Sequence, residues 1–422
     1  MGMAEPTYFG AHLADMTRPL PSGDALFPVS IVGGGPVGMA LAVALARHGI
    51  AARIHDARPR GAARQDPRVL ALSQGTQQSL AWLGVWPTLA RFATPIESIH
   101  ISQQGGFGRT RLTAREQGVA ALGQVVAAGH LAAVIDDALA AHGIEVHAQD
   151  AVQSAERVGN TAMRLRTAAG HDFMAQLVVY AEGAIAAAET ETGAGAGAVS
   201  MSRRTAGDIV TRDYHQHALI CNVTTRMPHG RQAWERFTPQ GPLALLPWGG
   251  EREYAVVHAC SPAEAGRLAA LDEAAYLAVL QAHFGTRLQF DACTARQMFP
   301  LALRYRREPV GLRRVWLGNA AQTLHPVAGQ GFNLALRDVR ELARTLTGCR
   351  DAGAADVLAR YGAARRCDRH GVIGFTDGVV RLFSNDLPLL SCGRGLGLLA
   401  LDLAPALRGF IARRMMYGMR VG

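Results

Sequence analysis

The sequence contains no lysine; all 43 of its basic residues are arginine. A phosphate-loop lysine, a Schiff-base lysine and a kinase-type lysine are therefore excluded. Cysteine is sparse: Cys221, Cys260, Cys293, Cys349, Cys367 and Cys392 are spread over 422 residues, with no Cys-x-x-Cys pair. Neither a zinc knuckle nor a thioredoxin-like dithiol is indicated, and the six read as reduced thiols of a cytosolic protein. Long apolar runs are also missing. The best stretch, Leu387–Leu407, is broken by Arg394 and Asp402, so no membrane-spanning helix is expected. Residues 1–27 lack a basic start followed by an apolar run, so they read as a poorly ordered leader and not as a signal peptide.

Apolar residues make up 49% and charged residues 18%, the proportions of a globular chain with a large core. The length implies two or three domains. A formal net charge of +9 suits anionic cofactors, anionic lipid or nucleic acid. The arginines are scattered and no aromatic-interleaved basic block occurs, which argues against nucleic acid.

The chain opens on a short buried-type strand at Phe27–Val32, followed at once by Gly33-Gly34-Gly35-Pro36-Val37-Gly38 and a helix over Met39–His48. A second strand, Ala52–His55, ends at Asp56, 18 positions after the last glycine. Gly33, Gly35 and Gly38 have the spacing G-x-G-x-x-G. The first glycine makes the turn, the second lets a pyrophosphate approach, the third lets helix pack on strand, and the carboxylate accepts from ribose hydroxyls. In this strand–loop–helix setting the pattern predicts dinucleotide binding.

A second glycine-rich segment lies far along the chain, in VWLGNAAQTLHPVAGQGFNLALRDVRE from Val315 to Glu341. It reads as a strand end, a tight glycine at Gly318, a loop His325–Gly331 and a helix from about Phe332. Glycine lets backbone approach a flat ligand, and the helix start offers unpaired N–H groups and a positive dipole end. Between the two segments, Arg68 follows Asp66-Pro67 and suits either a phosphate or flavin contact or an ion pair. Gln124 begins an α/β segment, with a cofactor contact or a structural role. The buried strand Leu177–Ala181 stops at Glu182-Gly183, where the carboxylate either meets a ribityl chain or caps the next segment. Residues 184–199 read as an Ala/Gly-rich loop. Residues 208–300 change to strand-like runs with one helix around Asp272–Phe284, and Val357–Phe383 and Leu396–Met416 read as the last helices. The expected class is α/β: a Rossmann-like dinucleotide domain in 28–207 and 301–348, an inserted β-rich substrate domain in 208–300, and a C-terminal helical region in 349–422.

Three separated signatures resemble the aromatic flavoprotein monooxygenases of the para-hydroxybenzoate hydroxylase type. They are Gly33–Gly38 with Asp56; Ala181-Glu182-Gly183; and Gly318-Asn319-Ala320-Ala321 through His325-Pro326 to Gly329-Gln330-Gly331-Phe332-Asn333. The match is closer to the ubiquinone-biosynthesis hydroxylases, on Asp66-Pro67-Arg68 with Ala71-Leu72-Ser73, on Glu235–Thr238 with Gly241–Pro247, and on Arg337-Asp338-Val339. The variant GNAAQTLHP is similar to that of the branch acting on 2-polyprenyl-6-methoxyphenol. Glu182 stands where the family usually has Asp, Asn319 and Gln322 where most relatives have Asp and His, and Ala127-Ala128 where many carry polar cofactor contacts.

The resemblance implies FAD, with NAD(P)H as electron donor and O2 as co-substrate. Oxygen would be delivered from a flavin C4a-hydroperoxide to the ring of a polyprenylated phenol. It implies cofactor contacts at Gly33, Gly35, Pro36, Val37, Gly38, Asp56, Arg68, Gln124, Glu182, Gly318, Asn319, Pro326, Gly329, Gln330, Gly331 and Asn333. His325 and Pro326 stand on the flavin side as the catalytic candidates, with a loop-holding role for His325 as the other reading. Phe237, Leu245, Pro247 and Phe332 are candidates for lining the substrate pocket, with a core role as the alternative for each. No metal is implied. Contacts with other ubiquinone-biosynthesis proteins or a second copy of the chain are left open. So is rest on the inner membrane face through Leu403–Met416 and its Arg408, Arg413 and Arg414. The competing readings are a sister hydroxylase acting at another ring carbon, a prenyl reductase, and a non-catalytic flavin-fold scaffold. A flavin halogenase is disfavoured, because Trp82, Trp86, Trp234, Trp248 and Trp316 include no Trp-x-Trp pair.

Overall fold

The computed structural model describes residues 26–106, 108–183, 185, 208–383 and 388–418. The leader up to residue 25, most of the 184–199 stretch and the side chain of Cys392 lie outside the described residues. The first sheet has parallel strands at its centre. Phe27–Val32 lies between Asp172–Tyr180 and Ala52–Asp56, with Arg314–Trp316 and Glu145–Ala148 outside them, all parallel. The central strands Phe27–Val32 and Asp172–Tyr180 are buried along most of their length, as a sheet covered on both sides requires, while Ala52–Asp56 and Glu145–Ala148 bring Arg53, Glu145, His55 and His147 together on one face. One face packs on the helices Pro36–Arg47, Ala128–Ala141 and Gln330–Leu346 through Ile31, Leu41, Ile54, Leu131 and Leu342. The other packs on the antiparallel strands Val152–Val158 and Ala162–Thr167 through Met163, Leu165 and Tyr180.

The second sheet has nine strands. Its spine is Ile209–Thr225, paired with Gln297–Arg306 on one side and Glu253–Cys260 on the other. Gly241–Pro247 and Gln232–Thr238 continue the sheet, and Ser98–Gln103 then pairs in parallel with Gln232–Thr238. Strands 98–103 and 109–113 come from outside residues 208–300, and strand 297–306 runs across the end of that range. Helices Pro262–Ala270 and Glu273–Phe284 cover the far face, where Leu219, Leu245, Tyr254 and Tyr276 are fully buried. Ser261 and Asp272 cap these helices by accepting from Glu264 N and Ala275 N.

The expected last helix, Leu396–Met416, is two helices, Pro388–Leu403 and Pro405–Tyr417, bent by 98°. Pro405 has no N–H to donate and its ring opposes a helical predecessor; Ala404 accordingly has φ −115° and ψ 84°. Among the described residues no single helix is long and apolar enough to cross a membrane.

The helix Gln330–Leu346 is bound to the long helix Ala355–Phe383 by a buried ion network. Arg365 Nε donates to Asp338 Oδ1 and its Nη2 to Asp368 Oδ2, each at 2.6 Å, with all three side chains about 4% exposed. Gln322 Nε2 donates to Asp338 Oδ2 at 3.2 Å, and Arg369 Nε donates to Gln322 Oε1 at 2.8 Å. The network fixes where the helix, and the loop before it, begins.

Candidate active site

The carboxyl ends of the parallel strands open on a cleft of about 1380 Å³. Gly33, Gly35, Pro36, Val37, Asp56, Arg68, Glu182, Gly318, Asn319, Gly331 and Phe332 all border it, from segments up to three hundred residues apart. Three backbone links join the strand ends: Gly33 N to His55 O at 2.8 Å, Ala181 N to Val32 O at 2.7 Å, and Leu317 N to Tyr180 O at 2.9 Å.

The glycines divide by role. Gly33 has φ +115°, and a Cβ there would lie 2.4 Å from Ala181 O; at Gly38 it would lie 2.0 Å from Gly33 O. Both are needed for backbone to pass backbone. At Gly35 and Gly331 a Cβ would meet nothing within 4 Å, because both face the open cleft. Gly35 caps the helix Pro36–Arg47, and Gly329, at φ +59°, precedes Gln330–Leu346. The cleft thus lies between two helix starts whose free N–H groups and dipoles favour an anion or an electron-rich ring edge. Asp56 accepts from Gly34 N (2.8 Å), which fixes its carboxylate beside the glycine loop, and is also held by Arg58 N and the Arg58 guanidinium. Arg68 at the cleft wall makes a two-pronged contact with Asp66, at 2.9 and 2.6 Å, so the ion-pair reading and the cleft position hold together.

Other expected cofactor residues are not among those that border the cleft. Asn333, 2% exposed, accepts from Ser73 N at 2.9 Å and donates to Ala71 O and Gly329 O. It ties the strand Val69–Ser73 to the loop. Gln330 is buried, and its Nε2 donates to Met415 O. Gln124 sits in a three-stranded sheet opposite Leu72 and Pro95. Pro326 is exposed, and its carbonyl accepts from Gly329 N.

His325 is 1% exposed and does not border the cleft. Its Nδ1 accepts from Val327 N at 3.1 Å, so Nε2 carries the proton and faces Gln216 Oε1 at 3.3 Å. Burial pushes its pKa down to about 4, which leaves a neutral ring. The spine strand Ile209–Thr225 has a register break between Asp213 and Gln216, with His215 at φ +52°; this irregularity aims Tyr214 and Gln216 at His325.

Of the pocket candidates, Phe237 packs with Val327 of the loop and stacks on Phe383 at 3.8 Å. Leu245 belongs to the core on the far side of the second sheet, and alternation places Pro247 with it. Leu246 and Trp248, one residue out of phase, are on the near side with Ala233, Ala71 and Val125. Those two, and Glu235 on the same face, are not among the pocket candidates read from the sequence, although Glu235 and Leu246 lie within the signatures quoted above; the alternation of Gln232–Thr238 and Gly241–Pro247 was the available signal.

A cleft at the ends of parallel strands, an open glycine at each of two helix starts and a fixed carboxylate beside the first are the features of a dinucleotide-binding protein. The chain belongs to the FAD binding domain family, whose profile matches residues 27–375. It is 32% identical to the ubiquinone hydroxylase UbiL of Rhodospirillum rubrum, over 100% of this chain and 97% of that one. It is 31% identical to the 3-demethoxyubiquinol 3-hydroxylase of Escherichia coli, over 90% and 96%. The p-nitrophenol 4-monooxygenase PnpA from Pseudomonas putida shares the fold, with a TM-score of 0.72 and 17% identity over 94% of this chain and 100% of that one. HpxO of Klebsiella pneumoniae, complexed with FAD and uric acid, shares it at 0.69 and 16%, over 93% and 97%. The protein is an FAD-dependent monooxygenase.

Proposed function

We propose that this enzyme hydroxylates the ring of a polyprenylated phenol, 2-polyprenyl-6-methoxyphenol, on the route to ubiquinone, with NAD(P)H as electron donor. The observation that carries the reading is the near face of the second sheet. Ile99, Ala233, Phe237, Leu246 and Trp248 turn an apolar wall toward Ala71 and Val327, beside the glycine-rich loop. Such a wall suits an apolar ring and tail. The full-length similarity to two hydroxylases of the ubiquinone series supports the same substrate class.

Bound FAD supplies oxygen activation for transfer to an electron-rich ring. The chain's own residues do the rest. Gly35 and the first turn from Pro36 and Val37 would hold the pyrophosphate, Asp56 would accept from ribose hydroxyls, and Glu182, Gly318 and Asn319 would hold the ribityl chain. The N–H groups at Gly331 and Phe332 would stabilise an electron-rich ring edge. Asn333 and His325 hold the loop in place.

Leu396, Leu399, Leu403, Leu407 and Phe410 are exposed on the bent helix pair, close in sequence to the exposed Arg413. We infer that this edge rests on anionic lipid, from which a prenylated substrate enters. Arg408 takes no part: it is bound to Glu116 and to the Leu401 and Asp402 carbonyls.

The test is the visible spectrum of the purified protein together with mass spectrometry of quinone intermediates in cells lacking it. A flavin spectrum and accumulated 2-polyprenyl-6-methoxyphenol are expected. A different accumulated intermediate would move the hydroxylated carbon, and a colourless protein would overturn the reading.

A further inference from the structure

Glu235 is an acidic residue on the apolar face of a strand. Ala233 and Phe237 flank it on that face, and Ile101 and Ala244 are its register partners on either side. Ala233 packs with Ala71, and Phe237 with Val327. Ala71 in turn abuts Gly329, where an added Cβ would stop 3.2 Å from the Ala71 methyl. The carboxyl therefore lies above both ends of the loop Val327–Gly329.

Its Oε1 is fully buried and has no hydrogen-bond partner. The residue as a whole is half-buried, while Oε1 itself is closed off from solvent. A buried carboxyl oxygen without a donor is costly and rare, and its natural complement is a ligand donor.

The ionisable groups on the elements packed around it are engaged elsewhere. Arg236 points to the opposite face and donates to Ser102 Oγ, and His100 on the neighbouring strand lies against Trp234. His325 is bound to Gln216 and Val327, and Tyr214 donates to Asp377. On the C-terminal helix, Arg408 is held by Glu116 and Arg414 lies over Phe410. The strands Val69–Ser73 and Gly241–Pro247 carry no ionisable side chain.

We propose that Glu235 is the catalytic base that takes the hydroxyl proton of the bound phenol. The phenolic O–H bond breaks, a carboxyl O–H bond forms, and the electron pair stays on the phenol oxygen, which becomes a phenolate with an activated ring. No electron is transferred in this step. Burial alone pushes the Glu235 pKa up to about 7, where a carboxylate is a competent base at neutral pH. The inference rests on the phenol substrate proposed above.

The test uses the FAD-loaded enzyme, a short-chain prenyl methoxyphenol, and turnover measured from pH 5.5 to 9. For the wild type, kcat/KM is expected to rise through an apparent pKa near 7 and then level. E235Q should retain FAD and its melting temperature and bind the phenol with KM changed only a few-fold. Its kcat should fall by about 10²-fold or more, without the pH-dependent limb. E235D should restore part of the rate and the limb. Wild-type kcat and pH profile in E235Q would overturn the proposal. If glutamine unbalances the fold, the ultraviolet difference spectrum of the phenol on the wild type decides. Phenolate appearing on binding below the phenol's own pKa supports the proposal, and a phenol that stays protonated overturns it. A wild type that hydroxylates no prenyl phenol would instead bring down the substrate reading, and this inference with it.

Discussion

His325 donates from Nε2 to Gln216 Oε1, and Gln216 Nε2 donates to Gln240 O at 2.9 Å, so the glycine-rich loop ahead of the helix Gln330–Leu346 is tied to the spine strand of the second sheet and to the turn between Gln232–Thr238 and Gly241–Pro247. The link crosses 109 residues of sequence. It sets the distance between the cleft and the apolar wall that faces it.

Replacing Gln216 by leucine leaves a buried imidazole N–H without an acceptor. The expected cost is about 1–3 kcal/mol in denaturant unfolding. Loosening the loop should lower turnover by up to about 10²-fold while FAD is retained. Because His325 is already neutral, turnover of the variant should keep the wild-type pH profile between pH 6 and 8. A profile displaced along with the rate would give His325 a proton-transfer role.

Acid sensitivity follows from three buried histidines. Burial pushes the pKa of His325 and His258 down to about 4 and that of His55 to about 3. All three are neutral when folded, and the unfolded chain binds their protons more readily. Their contribution to stability is complete above about pH 6.5 and is lost as pH falls toward 4. The melting temperature should drop over that window. His258→Leu, which removes a ring whose two nitrogens have no hydrogen-bond partner, should make the drop shallower.

The glycine roles are separable. Gly38→Ala drives a methyl into the Gly33 carbonyl and should prevent stable folding. Gly35→Ala meets no protein atom. It should fold and melt normally yet bind FAD at least tenfold more weakly, about 1.4 kcal/mol, by flavin fluorescence titration. Equal loss of folding in both variants would contradict the open position of Gly35.

Arg365 bridges Asp338 and Asp368 with almost no exposed surface. Arg365→Ala leaves two buried carboxylates short of their counter-ion and should cost about 3–5 kcal/mol. Turnover of the fraction that folds should also fall, since the network anchors the helix that carries Gly331. Chemical denaturation and FAD content of the soluble fraction would measure both.

The sequence made the cofactor side legible because its constraints are local. Gly33–Gly38, Asp56 and Gly318–Gly331 announce themselves by short spacings, and all three segments border the cleft. The facing wall was less legible. Leu245 and Leu246 are equally apolar, and only pairing with Tyr254, Ala255 and Val256 decides which faces the loop, since one step along a strand exchanges the two faces. Asn333 also ties Ser73 and Ala71 to the loop at Gly329, contacts of which two span some 260 residues and which no local spacing announces. The irregularity that brings Gln216 to His325 leaves no mark in composition. Pro405 did leave one, and the helix across it was drawn too long.

The cleft floor carries a consequence for how the enzyme is made. Phe27–Val32 pairs with Asp172–Tyr180, and that strand pairs with Arg314–Trp316. A ribosome releases the first glycine loop long before the second. The nascent chain therefore owns half a cradle through most of its synthesis. FAD loading awaits the emergence of Gly331 and the helix behind it, so a chain cut short before that point leaves the ribosome as an apoprotein with no second chance to fill.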